Sequence, residues 1–466
     1  MDRKIKIILV AAIIFGVAAY IFQLWPRKEI NDDQATGRPE NKINDQLPGT
    51  ESSQKDTDAE EETVNEMQFG ETSVTVDTTE DVKGLGYPGQ RKLAEDGKGN
   101  IFITYRKKHQ GYNQIFVARA HFESGRWNIS GTEEPISSVG EKVDQRVPSI
   151  AIDQSGVIHV VWYGAESKKE QSNRQIKYSN SRDGGASWSK WKNISYVDGY
   201  DGKEDYWQEH PLILAGKKNT LYVVWEGKDK ENDKQQIKIS KSSDGGASWS
   251  KWKNISISEG RTQSRPVILE DSQGALHVLM YSSVGGEEQQ IQYSHYSDVG
   301  KTWSEWQSVS NSLMDSRHLS AAIDSNDSIH VAWREALSNE EGPTQIIYSS
   351  LGTSGTWSNP QVVAPSGSFQ FFPGIAINKD GLPLIAWMET QNKSDFPRED
   401  PETGEVRFAQ MDPKDPNKFI VRDRQENGLY PNLPDTFRND KYSPAVFEKK
   451  EKEDFSIVLY FIKDNN

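Results

Sequence analysis

A unit of four short strands recurs along this chain, and its period constrains the fold more than any other feature. The fullest copy begins at Arg146, where RVPSIAIDQSGVIHVVWY is followed by RQIKYSNSRDGGASWSKWKNIS. The spacing predicts a first strand ending near Ile152, a turn from Asp153 to Gly156 and a second strand from Ile158 to Trp162. A third strand contains Ile176 to Tyr178, and a fourth follows the turn that ends at Trp188. Further copies start at His210, Arg265, His318 and Phe372, with an earlier one from Gln90. Pro148 to Pro211 spans 63 residues, Pro211 to Pro266 55, and Trp333 to Trp387 54. Four strands at such a period read as propeller blades.

The last copy supplies only two strands, from Tyr442 and from Phe455, which would leave an open sheet edge. The segment from Met67 can provide the missing outer strands, so that the two ends close one blade together. The expected fold is all-β: a β-propeller of four-stranded antiparallel blades, seven in number, or six if the last copy is a cap.

The turn between third and fourth strands carries a recurring pattern: Ser181-x-Asp183-Gly184-Gly185-x-Ser187-Trp188, Ser242-x-Asp244-Gly245-Gly246-x-Ser248-Trp249, and Asp298-Val299-Gly300-Lys301-Thr302-Trp303. Each type has a local reason. The Asp carboxylate accepts hydrogen bonds from the turn's own backbone, Gly tolerates positive φ, and Trp buries a ring between units. Trp127 and Trp357 keep the aromatic position where the acidic turn has decayed. These turns resemble the Asp-box (bacterial neuraminidase) repeats of the sialidase superfamily, over roughly residues 85 to 463. The resemblance implies that Asp183, Asp244 and Asp298 are fold residues on the face away from the site.

Aligning the copies on their second strands places Arg146, Glu209, Ser264, Arg317, Phe371 and Tyr442 at equivalent starts of the innermost strands, around the channel mouth. Arg106, Tyr163, Glu226, Tyr281, Arg334, Glu335 and Glu389 come just after the second strands and point to the same face. A sialidase needs an arginine cluster for the substrate carboxylate, a tyrosine nucleophile activated by a glutamate, and an acid. The resemblance therefore implies substrate binding by Arg146, in a segment like the family's Arg-Ile-Pro signature, and by Arg317, with Arg334 or Arg265 third. It implies Tyr442 as nucleophile with Glu209 or Glu226. The Arg-Ile-Pro-like segment sits in the second copy rather than the first, and no aspartate is clearly placed as acid.

With no cysteine, disulfides, thiolate zinc sites and a cysteine nucleophile are excluded. His159, His277 and His330 recur at one strand position in separate blades, which points to packing rather than a shared metal ion. No cofactor motif and no basic stripe for nucleic acid is present. Arg3, Lys4 and Lys6 precede an uncharged apolar run from Ile7 to Trp25, with Arg27 and Lys28 after it, so residues 1–28 are expected to form a single-pass membrane anchor with the remainder outside the cytoplasm. Residues 29–82 contain 16 acidic against three basic residues, which leaves −5 of the total −14 to residues 83–466. Residues 29–66 are expected to be an acidic disordered linker, and residues 67–466 the propeller. The expected partner is a carbohydrate or glycoconjugate at the channel mouth, hydrolysed if the sialidase chemistry is complete; a scaffold binding another envelope protein is the alternative.

Overall fold

The computed structural model describes residues 72–80, 83–137, 143–167, 173–196, 206–232, 234–256, 261–283, 288–297, 301–336, 343–391, 403–438 and 442–462. The expected membrane span and linker, and the box residue Asp298, lie outside them. Among the described residues no helix is long and apolar enough to cross a membrane.

The alternating pattern of the repeats forms seven antiparallel sheets, each four strands wide, with the outer strand of the fourth split in two. The seven innermost strands are Leu93–Glu95, Gln145–Ile152, Gln208–Ala215, Gln263–Glu270, Asp315–Ile323, Phe369–Ile377 and Gly428–Asn432. The ring closes through both ends of the described chain. In the seventh blade the order from the axis outward is Gly428–Asn432, Ser443–Lys450, Phe455–Ile462 and Ser73–Thr79, with Val74 opposite Leu459. The expected closure thus needs only one strand from the N-terminal side. Tyr-Pro at 430 and 431 begins the last repeat, so Tyr442, expected at its start, precedes a second strand and not an innermost one.

Each second strand buries one large side chain between blades. Trp162, Trp225, Trp333 and Trp387 are fully buried, and each indole N–H must then find an acceptor. Gln145 Oε1 accepts from Trp162 at 3.0 Å and Gln208 Oε1 from Trp225 at 2.7 Å. Glu335 Oε2 and Glu389 Oε2 serve Trp333 and Trp387 at 3.3 and 3.1 Å. The recurring histidines are also internal. His159, His277 and His330 lie 3.2, 3.3 and 3.4 Å from Asp153, Asp271 and Asp324, and 2.9, 2.8 and 2.7 Å from the hydroxyls of Tyr178, Tyr293 and Tyr348. Burial lowers the pKa of His159 and His277, so each is a neutral ring donating to its aspartate and accepting from its tyrosine.

The two described acidic boxes close on themselves. Asp183 accepts from the Ser181 hydroxyl at 2.8 Å, Ser187 N at 2.9 Å and the Ser187 hydroxyl at 2.5 Å, and Asp244 repeats the set with Ser242 and Ser248. Hydrogen bonds to the ionised form hold both carboxyls below the usual range.

Glu448, fully buried in the second strand of the last blade, grips the chain just after the closing strand. It accepts the backbone N–H of Lys83 at 2.8 Å and of Leu85 at 2.7 Å. Burial pushes its pKa up to about 7 despite those donors. A carboxyl raised in the native state binds its proton more tightly folded than unfolded. Its contribution to stability is therefore complete below about pH 4.5 and is lost as pH rises through about 7. Glu448→Gln should flatten the decline of Tm across that window, removing about 3 kcal/mol of pH dependence; thermal unfolding of variant and parent at matched pH values checks this.

Candidate functional site

Six innermost strands carry an extra residue near the channel mouth. Arg146 faces Tyr163 while Ser149 faces Val161, and the same shift occurs after Glu209, Ser264, Arg317, Phe371 and Leu429. The bulged residues Val147, His210, Arg265, His318, Phe372 and Tyr430 all have φ between 45 and 54°. Such a conformation costs a bulky or β-branched residue about 1–2 kcal/mol, so the surrounding ring must impose it. Its effect is to gather these side chains at the axis.

Tyr87 fills the space they enclose. Its ring lies 5.8 Å from His210, 5.5 Å from His318 in a stacked arrangement and 5.5 Å from Phe372, and the Arg265 guanidinium sits 3.3 Å above it. Four blades thus meet on one phenol. The loop around it is held by Lys92 Nζ, which donates to Tyr87 O at 3.2 Å and to Gln90 O. Gly89 is required, because a Cβ there would stand 2.6 Å from Leu319 O. The half-buried Tyr87 is the floor of the mouth.

Beside this floor, blades two and three bring together Arg146, Tyr163, Arg174, Glu209, His210 and Glu226. Arg174 Nε lies 2.5 Å from Glu209 Oε1, and Arg146 pairs with Asp144 at 3.2 Å. The Arg146 and Arg174 side chains are 43 % and 37 % exposed, so both can meet a ligand. Tyr163 is buried against His210 at 5.5 Å between ring centroids. Burial and the Glu209 charge push its phenol up, against the opposing charges of Arg146, Arg174 and Arg106. Burial likewise raises Glu209. The cluster therefore couples two ligand-accessible guanidiniums to a protonated phenol and a basic carboxylate, able to hold an anion and to exchange a proton with it.

Glu209, His210 and Glu226 also present one ligand atom each within 4.8 Å of one another, the donor set of a divalent cation site. The ligand atoms of this group already have partners within the protein. His210 Nδ1 is 2.8 Å from Glu226 Oε1, Arg265 N donates to Glu226 Oε2 at 2.5 Å, and Arg174 holds Glu209.

A second cluster lies in blade five. Asp315, fully buried, receives Arg317 Nε at 2.7 Å and Arg334 Nη2 at 3.1 Å. Arg334 is 1 % exposed and sits beneath the surface, whereas Arg317 is 29 % exposed. Arg146 and Arg317 thus have separate carboxylate partners on separate blades. Glu226, too, is buried with both oxygens engaged. Tyr442 packs 5.4 Å from Trp127 and 5.1 Å from Phe461, with the aromatic of a box turn rather than with Glu209. Repeat alignment puts Tyr163 at a second-strand end, where it lies, but misses Arg174, His210 and Tyr87. The X-Pro step shared by Val147, His210, Arg265, Phe372 and Tyr430 is the available signal for the bulges.

A family model described as a BNR repeat-containing family member matches residues 49–198. The chain folds as a seven-bladed β-propeller, and its residues 49–198 are similar to that repeat family. No curated protein has a matching sequence. Among solved structures, this propeller is similar to a PL25 polysaccharide lyase, an ulvan lyase bound to -[GlcA(1-4)Rha3S]-, at TM-score 0.58 and 12 % identity over 84 % of this chain and 96 % of that one. The intramolecular trans-sialidase from Ruminococcus gnavus, in complex with oseltamivir carboxylate, matches at TM-score 0.47 and 12 % identity over 68 % and 94 % of the two chains. A mutant of NanB sialidase from Streptococcus pneumoniae matches at TM-score 0.44 and 12 % identity over 84 % and 94 %. At such identity the likeness is one of fold.

The blade-five cluster makes a structural claim that can be checked directly. Asp315→Ala leaves the Arg334 guanidinium buried without that carboxylate and should destabilise the propeller by roughly 3–5 kcal/mol, measured by urea unfolding.

Proposed function

We propose that the mouth face between blades two and three binds an acidic carbohydrate through its carboxylate. The observation that carries this reading is the placement of two ligand-accessible guanidiniums, Arg146 and Arg174, around Glu209 and Tyr163. Arginine suits a carboxylate because its planar fork can meet both oxygens. The fold alone would not support the choice, since propellers host many functions. The similar polysaccharide lyase was solved with a GlcA-containing ligand, which favours the same class of molecule here. Turnover, where it occurs, would run through Tyr163 and Glu209 rather than Tyr442.

The test is calorimetric titration of the full chain with acidic and neutral oligosaccharides, alongside a screen of fluorogenic glycosides. Arg146→Ala and Arg174→Ala should each weaken acidic-sugar binding roughly tenfold to a hundredfold, the value of a hydrogen bond to a charged group. Tyr163→Phe should preserve binding and remove turnover. Equal affinity for neutral and acidic sugars, or an arginine double variant whose acidic-sugar affinity and stoichiometry both match those of the parent, would sink the reading.

The sequence of residues 1–66 supports a second part of the proposal: the propeller is tethered to a membrane and lies outside the cytoplasm. Protease added to intact cells should release the propeller by cutting the acidic linker. Full protection, or extraction of the intact chain by alkaline carbonate, would overturn this placement.

A further inference from the structure

The flank of the propeller carries a joint that recurs in three of its seven blades. In blades two, four and five the third-strand tyrosine bonds the histidine of its own blade and reaches across to the next. Tyr178 meets Trp249 at 5.0 Å, Tyr293 meets Trp357 at 5.3 Å and Tyr348 meets Phe419 at 5.1 Å, all edge-on. Between blades two and three the seal is completed by Lys192, which donates to Gly246 O at 3.3 Å and Ala247 O at 2.6 Å. Gly246 has to be glycine, since a Cβ would stand 1.8 Å from the Tyr178 hydroxyl oxygen.

Blade three lacks both members of the pair, as do blades one, six and seven, where Phe102 with Val117, Leu384 with Phe408 and Pro444 with Leu459 hold the two positions. Tyr222 stands where His159 does in blade two, and Ile239 where Tyr178 does. Ile239 has no ring to extend toward Trp303 of blade four. A cleft of about 380 Å³ opens there, lined among others by Tyr222, Tyr296 and Trp303. Four lysines, Lys241, Lys251, Lys253 and Lys301, line it too, and none of its described lining residues is acidic. All four are exposed, while the three aromatic residues are half-buried. Two of the lysines are additions at this joint: Lys241 replaces the position of Asn180, and Lys301 that of Ala247.

We propose that this cleft between the third and fourth blades is a second carbohydrate site, holding an acidic oligosaccharide with its sugar faces against the aromatic rings and its anionic groups among the lysines. The charge is local, because residues 83–466 carry −5 overall. Such a balance disfavours an extended polyanion such as duplex DNA, which would need a continuous basic track. A pocket of this size accommodates one or two sugar rings, and aromatic walls with a few charged groups are the usual composition of a ligand site. The site shares no residue with the mouth, so it stands independently of the function proposed there.

The experiment titrates the full chain with hexagalacturonate, neutral maltohexaose and duplex DNA. In the Arg146→Ala, Arg174→Ala background the acidic hexamer should still bind, at the cleft alone. Lys241→Gln with Lys301→Gln should weaken that binding at least tenfold. A second variant, Tyr222→His with Ile239→Tyr, rebuilds the joint of blades two, four and five; it should abolish cleft binding with Tm unchanged or raised. Loss of all acidic binding in the arginine background, with the lysine variant of the parent unchanged, would overturn the cleft and leave the mouth. The converse result would overturn the mouth and leave the cleft. Binding of maltohexaose or DNA as tight as that of the acidic hexamer would overturn the ligand class.

Discussion

The pairing of Ser73–Thr79 with Phe455–Ile462 is the constraint on which the rest of the structure depends. A ring of sheets that stops short leaves a free strand edge and an uncovered apolar blade face. Here the closing strand also anchors the stretch of chain that runs from it to the axis. Six residues beyond it Leu85 is fixed by Glu448, and two residues further Tyr87 reaches the axis. The floor of the mouth is therefore set by the same strand that completes the seventh blade. A change at the outer rim of that blade can be felt at the centre of the mouth through a few covalently linked residues.

Much of this architecture is legible because the repeat carries its own punctuation. Alternating apolar residues, the Gly-rich box and the second-strand Trp give strand number and order without any long-range information. The innermost strand of the last blade escapes such a reading because it lacks the expected alternation. Its five residues, Gly428–Asn432, are all buried, and Tyr442 offers a more familiar beginning. A repeat that must close a ring is permitted to deviate most in its final copy, where the outer strand comes from elsewhere and the connection from Asn432 to Ser443 need not match its counterparts.

The candidate site is only partly legible, for a different reason. Repeat alignment places backbone positions, and so it puts Arg146, Tyr163 and Glu209 on one face. It says nothing about which side chains a left-handed bulge turns inward, or how deep each lies. Arg334 and Arg317 look alike in the alignment; Asp315 draws one beneath the surface and leaves the other partly exposed. Arg174 lies in the loop after the second strand, where the copies differ in length, and Tyr87 belongs to no repeat at all.

The two faces and the flank of the propeller then divide by a simple rule. At the described acidic boxes the side chains are constant and their hydrogen bonds are spent within the turn, so they stabilise and do not select. At the mouth the backbone is constant, a bulge with nearly the same φ in six blades, while the residue it presents runs from Val147 to Arg265 to Tyr430. A fixed conformation with a variable side chain is what a binding surface requires, because the strain is borne by the ring and the chemistry is free to change. The joint between blades three and four obeys the same logic in reverse. The histidine and tyrosine that pair in blades two, four and five are absent there, and the space beside Ile239 is bordered by lysines and aromatic rings rather than by another apolar seal. Where a repeat gives up a packing interaction, the exposed surface carries the information about function.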